Sequence, residues 1–165
     1  VHAQFVQEAL IVLHLDKQVD VNNEYLNFRN DLLGEFDACF LLNVLHHIGD
    51  DYGDSALSKD QAKKELLMSL EYLSTKTKIL VFQMGFNWKG NVNLPLFEHG
   101  TKREMIDFIR LGTAANWEVV HIGVASKDNG YVKYQELNNI NIQRDNNLGE
   151  FLNRPLFILE SKNRT

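Results

Sequence analysis

The chain has 165 residues, a formal net charge of −5 and a single cysteine, Cys39. That length suits one domain with a sizeable core. One cysteine excludes an intrachain disulfide, and acids and bases mixed along the whole length leave no basic track for nucleic acid. No apolar stretch reaches the ~20 residues of a membrane span and no signal peptide is visible, so a cytoplasmic protein with no membrane partner is expected. The chain starts at Val1, as a processed terminus or part of a longer reading frame would.

Residues 3–15 place Phe5, Val6, Ala9, Leu10, Val12 and Leu13 at helical spacing and predict a helix. Residues 18–26 set Val19 and Val21 against Asp20 and Asn22, the alternation of a short strand running into a polar loop. Connecting chain with a turn at Gly34 leads to the apolar run 38–42, bounded by Asp37 and Asn43. A run so short and so apolar reads as a strand buried on both faces, inside a parallel sheet. It stops abruptly in Asn43, His46, His47, Asp50 and Asp51. Ligands of open α/β sheets bind outside the carboxyl ends of the strands, which makes this stretch a candidate site wall.

A polar loop follows. Ser58 and Gln61 then form a capping-box pattern before a helix over 59–74, with Ala62, Leu66, Leu70 and Leu73 on one face. Residues 78–84 read as a strand ending at Gly85, and a long loop, 86–100, carries Trp88, Lys89 and Pro95. Thr101 and Glu104 cap a further helix over 102–115, and 117–124 reads as another strand. The asparagine-rich stretch 126–153 reads as a loop with one short element, and 156–159, after Pro155, as a last strand. Strands alternating with helices argue βαβ units: an α/β domain over 1–165 with a mostly parallel sheet and an antiparallel pair formed by the last two strands.

This order of elements, with Phe36-Asp37 leading into Leu-Leu-Asn-Val-Leu-His-His-Ile, resembles the class I S-adenosylmethionine-dependent methyltransferases, a Rossmann-like fold. The resemblance implies that 36–42 is the family's fourth strand, 78–84 its fifth, and 118–124 with 156–160 its terminal antiparallel hairpin. Members of that family open with a Gly-rich turn and an acidic residue that holds the cofactor ribose. This chain has ten glycines and no Gly-x-Gly, so the resemblance begins in the middle of the fold. The strand that lies beside the fourth in the family has no counterpart here. The run 38–42 is thereby expected to keep an open apolar edge, which invites pairing with another copy.

The resemblance places Glu24 near the adenine amino group and turns Asn43 toward the cofactor. His46 and His47 are the candidate general bases toward an acceptor, His47 ahead of His46, because adjacent side chains splay apart. Phe86, Trp88 and Lys89 are candidates to line an acceptor pocket. Arg154 reads as an ion-pair partner for an acid. His46, His47, Asp50, Asp51 and Asp54 have the composition of a metal site, but no metal is expected in so solvated a loop. The implied activity is methyl transfer from S-adenosylmethionine to a small-molecule or sugar acceptor, by a chain truncated or inactive as it stands. The alternative is a non-enzymatic interaction module that keeps part of a Rossmann-like fold and self-associates; a third reading is another Rossmann-like domain.

Overall fold

The computed structural model describes residues 2–23, 28 and 34–164. Helix α1 spans His2–Val12, and strand β1, Phe36–Leu42, opens the sheet. A single three-ten turn, Leu45–His47, follows β1. Helix α2 (Lys59–Ser74) leads into β2 (Thr77–Gln83), and α3 (Lys102–Thr113) into β3 (Trp117–Asp128). Strand β4 (Tyr131–Glu136), a four-residue helix α4 (Gly149–Leu152) and β5 (Leu156–Ser161) complete the order.

Both expected capping boxes form. The Ser58 hydroxyl accepts from the Gln61 N–H while the Gln61 side chain accepts from the Ser58 N–H, and Thr101 with Glu104 does the same for α3. These caps satisfy orphan donors of the first turn and set where each helix starts. Each helix then lays one apolar stripe on the sheet. Leu66 and Leu70 of α2 and Met105, Ile106 and Ile109 of α3 join Leu80 and Phe82 of β2, Phe157 and Leu159 of β5, and Ile122 and Val124 of β3 in one buried cluster. Trp117 is buried with its indole N–H donating to the Leu70 carbonyl at 2.8 Å, so the bulkiest core residue leaves no unpaired polar atom.

The five strands lie in the order β1-β2-β5-β3-β4. The mostly parallel sheet expected from the sequence is not what forms: only β1 and β2 pair in parallel, while β2 with β5, β5 with β3 and β3 with β4 are antiparallel. Two turns of chain cause this. β5 returns between β2 and β3, antiparallel to both, and β4 folds straight back on β3 through Asn129-Gly130. Those two residues have φ values of 48° and 86°, the left-handed pair of a tight two-residue hairpin. The expected antiparallel pairing of 118–124 with 156–160 is present as β3 with β5.

β1 also departs from expectation. It is one of the two outer strands, and of its seven residues only Leu41 is buried. Cys39 packs half-buried against the core, while Phe36, Phe40 and Leu42 point away from it and are exposed. An apolar run alone does not distinguish an inner strand from an outer one. The strand expected over 18–26 is absent where residues 18–23 are described; the remainder lies outside the described residues.

The asparagine-rich segment is pinned rather than loose. Lys102, buried at the start of α3, donates to the carbonyls of Asn141 and Gln143, both at 3.0 Å. Among the described residues no helix is long and apolar enough to cross a membrane.

The packing makes a test simple. Leu70→Ala should lower unfolding stability by about 2–5 kcal/mol in urea, with an unchanged slope, because a fully buried side chain leaves a cavity. Leu111→Ala, on the exposed face of α3, should stay within about 0.5 kcal/mol. Equal losses at the two positions would refute this assignment of the core.

Candidate functional site

β1 and β2 end side by side, Leu42 paired with Gln83. The chain leaves β1 through Asn43, whose φ of 61° is left-handed, a conformation asparagine tolerates better than most residues. The Asn43 backbone N–H still donates to the Gln83 carbonyl at 2.8 Å, so the amide side chain is held at the mouth of the parallel pair.

That side chain belongs to a network. Asn43 Oδ1 accepts from Arg154 Nη1 at 2.7 Å, and its Nδ2 donates to Gln83 Oε1 at 3.1 Å. Gln83 Nε2 donates in turn to the Arg154 carbonyl at 3.1 Å. Arg154 Nε donates to both oxygens of Glu150, each at 3.1 Å, and Nη2 also bonds Oε2. Glu150 Oε1 accepts a further bond from the Phe86 N–H at 3.3 Å. Burial pushes the Glu150 carboxyl up, but the hydrogen bonds and charge of Arg154 outweigh it and hold the group below its ordinary range.

His46 packs beneath this network. It is buried, with Nδ1 lacking a hydrogen-bond partner. A Cβ on Gly85 would come within 2.7 Å of the imidazole and 3.2 Å of Arg154 Nη2, so glycine is required there. Burial, then the His47 and Arg154 charges, pull the His46 pKa down to about 4 against an opposing pull from Glu150. His46 is therefore neutral at pH 7.

His47 faces the other way. Its ring centroid lies 4.2 Å from that of His46, and its Nδ1 is 3.2 Å from Asp51 Oδ2, at ion-pair distance but without the alignment of a hydrogen bond. A Cβ on Gly90 would meet His47 Cε1 at 3.1 Å, which fixes how closely the loop after β2 approaches. In that loop Phe86 and Trp88 are buried, and the Trp88 indole donates to the Ile48 carbonyl at 2.7 Å. Lys89, with φ of 56°, lays its ammonium over the Trp88 ring, 4.6 Å from the centroid.

Of the residues expected at a site, the fold thus joins Asn43, His46, His47, Trp88 and Lys89 around the ends of β1 and β2. Phe86 enters through its backbone and buries its ring. Glu24 lies outside the described residues. His47, Asp50 and Asp51 each bring one atom within 4.8 Å of the others, a set chemically able to hold a divalent cation, with both aspartates exposed. Sequence reasoning overlooked Gln83 and Glu150. Glu150 carried a usable signal, since it stands four residues before Arg154, where side chains on a helical turn meet. A pocket of about 230 Å³ along α2, lined by Phe28, Met68, Ser69 and Tyr72 among others, shares no residue with this cluster.

No family model, no curated protein and no solved structure matches the chain. The site's chemistry therefore rests on its own geometry: a rigid polar floor of Asn43, Gln83, Glu150 and Arg154, with a half-exposed imidazole and an ammonium on its rim.

The depressed His46 pKa has a signed consequence. Below the unfolded value of about 6.5, the unfolded chain takes up a proton that the folded chain refuses. This contribution is complete above pH 6.5 and is lost as the pH falls toward 4, by up to about 3 kcal/mol. Urea midpoints should fall across that window, and His46→Gln should flatten the fall. An unchanged slope in the variant would assign the pH dependence to other groups.

Proposed function

We propose that the chain is an S-adenosylmethionine-dependent methyltransferase-like domain acting on a small-molecule or sugar acceptor. The observation that carries this reading is the parallel pair β1 and β2 ending in a polar floor, with β5 antiparallel to β3 behind it. Those are the strand directions that the resemblance implies for its fourth and fifth strands and its terminal hairpin.

The floor fits such a cofactor at one point. Among the described residues, the Asn43 amide gives one N–H to Gln83 and takes one bond from Arg154. One N–H and one lone pair remain for a ligand. The network that occupies the rest of the amide also stops it from rotating, so a bond made there is directional. A bound cofactor would supply an electrophilic methyl group. The chain's share is position and proton transfer: it holds an acceptor in line and takes its proton.

His47 suits that second role better than His46. Its ring is partly exposed and Asp51 stands beside it, whereas His46 is buried and held neutral. Lys89 supplies a positive charge on the same rim, suited to an anionic or hydroxyl-rich acceptor. Buried Phe86 and Trp88 support the loop that carries Lys89.

The test is calorimetric titration of the folded chain with S-adenosylhomocysteine. Saturable heat at one site per chain is expected, weakened roughly tenfold or more by Asn43→Ala, the loss of one or two hydrogen bonds. No heat from a chain that still unfolds cooperatively would sink the methyl-transfer reading.

A further inference from the structure

β1 presents an open edge with an unusual composition. The Asn43 N–H donates to the Gln83 carbonyl, and the register runs unbroken from Ala38 to Leu42, which directs the backbone of Cys39 and Leu41 toward β2. In a parallel ladder the alternate residues then turn their N–H and C=O groups outward. Ala38, Phe40 and Leu42 thus turn their backbone groups to the free edge. Among the described residues no strand pairs with that side of β1.

Outer strands are normally protected by lysine, proline, a bulge or a covering segment. Phe36–Leu42 contains no lysine and no proline, and Asp37 is its one charge. Phe36, Phe40 and Leu42 are 48%, 70% and 44% exposed and share one face by alternation. On that same face Ile79, Val81 and Ile158 are only partly buried, because α2 and α3 pack on the other.

The total surface agrees. The chain exposes 10512 Å², where a compact monomer of 19.0 kDa is expected to expose roughly 8,400 Å². The nearly bare helix α1 and the exposed face of β1 both contribute to that difference, roughly 2,100 Å².

We infer that β1 pairs with β1 of a second copy, antiparallel across a two-fold axis at Cys39, to make a continuous ten-stranded sheet. The sequence is self-complementary in this register. It is the register that pairs all seven residues, setting Phe36 opposite Leu42, Ala38 opposite Phe40 and Asp37 opposite Leu41. The lone charge of each strand meets an apolar residue and not its own copy, so no like charges face each other. The outward backbone groups of Ala38 bond those of Phe40 in the other copy, and the exposed aromatic row runs on across the seam. This inference does not depend on methyl transfer.

Sedimentation of the full chain across micromolar concentrations, with amide hydrogen exchange on the same samples, tests it. The expected mass is twice 19.0 kDa, with slow exchange at Ala38 and Phe40. Phe40→Lys places a charge on an exposed position of the seam and should weaken association at least tenfold and release those amides. Ala38→Pro removes one outward donor and should act in the same direction. Leu111→Lys, on the exposed face of α3, should change neither readout. A 19.0 kDa species at every concentration would overturn the proposal, and slow exchange at the amides of Ala38 and Phe40 in that species would assign the edge to the chain's own segments. A dimer that survives both β1 substitutions would place the interface elsewhere.

Discussion

The guanidinium of Arg154 is the constraint on which the carboxyl end of the sheet depends. It joins Asn43 at the exit of β1 to Glu150 before β5, and the Arg154 backbone carbonyl accepts from Gln83 at the end of β2. Its side chain is only 13% exposed, so its charge must be matched locally. Glu150 does that with both oxygens, and the Phe86 N–H orients the carboxylate in turn. The bond between Gln83 and the Arg154 carbonyl stands two residues before Leu156, the residue that pairs with Gln83 in the ladder. One polar cluster therefore fixes the register in which Phe157 and Leu159 enter the core.

The same cluster explains why two adjacent histidines differ. A three-ten turn sends one ring inward and the next outward. The inward ring meets Arg154 and Gly85, where water cannot solvate an added proton, and stays neutral. The outward ring meets Asp51 and the loop at Gly90. The division of labour is set by the turn and by what each ring touches, since the two residues have the same intrinsic chemistry.

The local features were legible in the sequence. Ser58 with Gln61 and Thr101 with Glu104 gave two helix starts because a capping box is complete within four residues. The stripes of α2 and α3 were legible for the same reason. What stayed hidden depends on partners distant in the chain. Nothing within 156–159 states that β5 slots between β2 and β3, and without that the sheet reads as parallel. The β3–β4 hairpin was legible in principle: Asn129-Gly130 is a strong two-residue turn signal, masked by the many asparagines around it. At the site, Asn43 and both histidines stood out by residue type. Gln83 was hidden at the end of an apolar strand, and its role exists only once Arg154 arrives from 71 residues away.

The exposed edge and the polar floor meet at Asn43. β1 carries its free backbone groups along one side and delivers this amide at its end, so any strand laid against β1 also borders the floor. A floor of Asn43, Gln83, Glu150 and Arg154 with a rim on the His47 side is walled on one side only. A groove enclosed on two sides removes more water from a ligand and strengthens each polar contact inside it. Gln83 and Arg154 already fix the direction of the bond the Asn43 amide can offer, so a strand laid against β1 would add a wall to the floor without redirecting that bond.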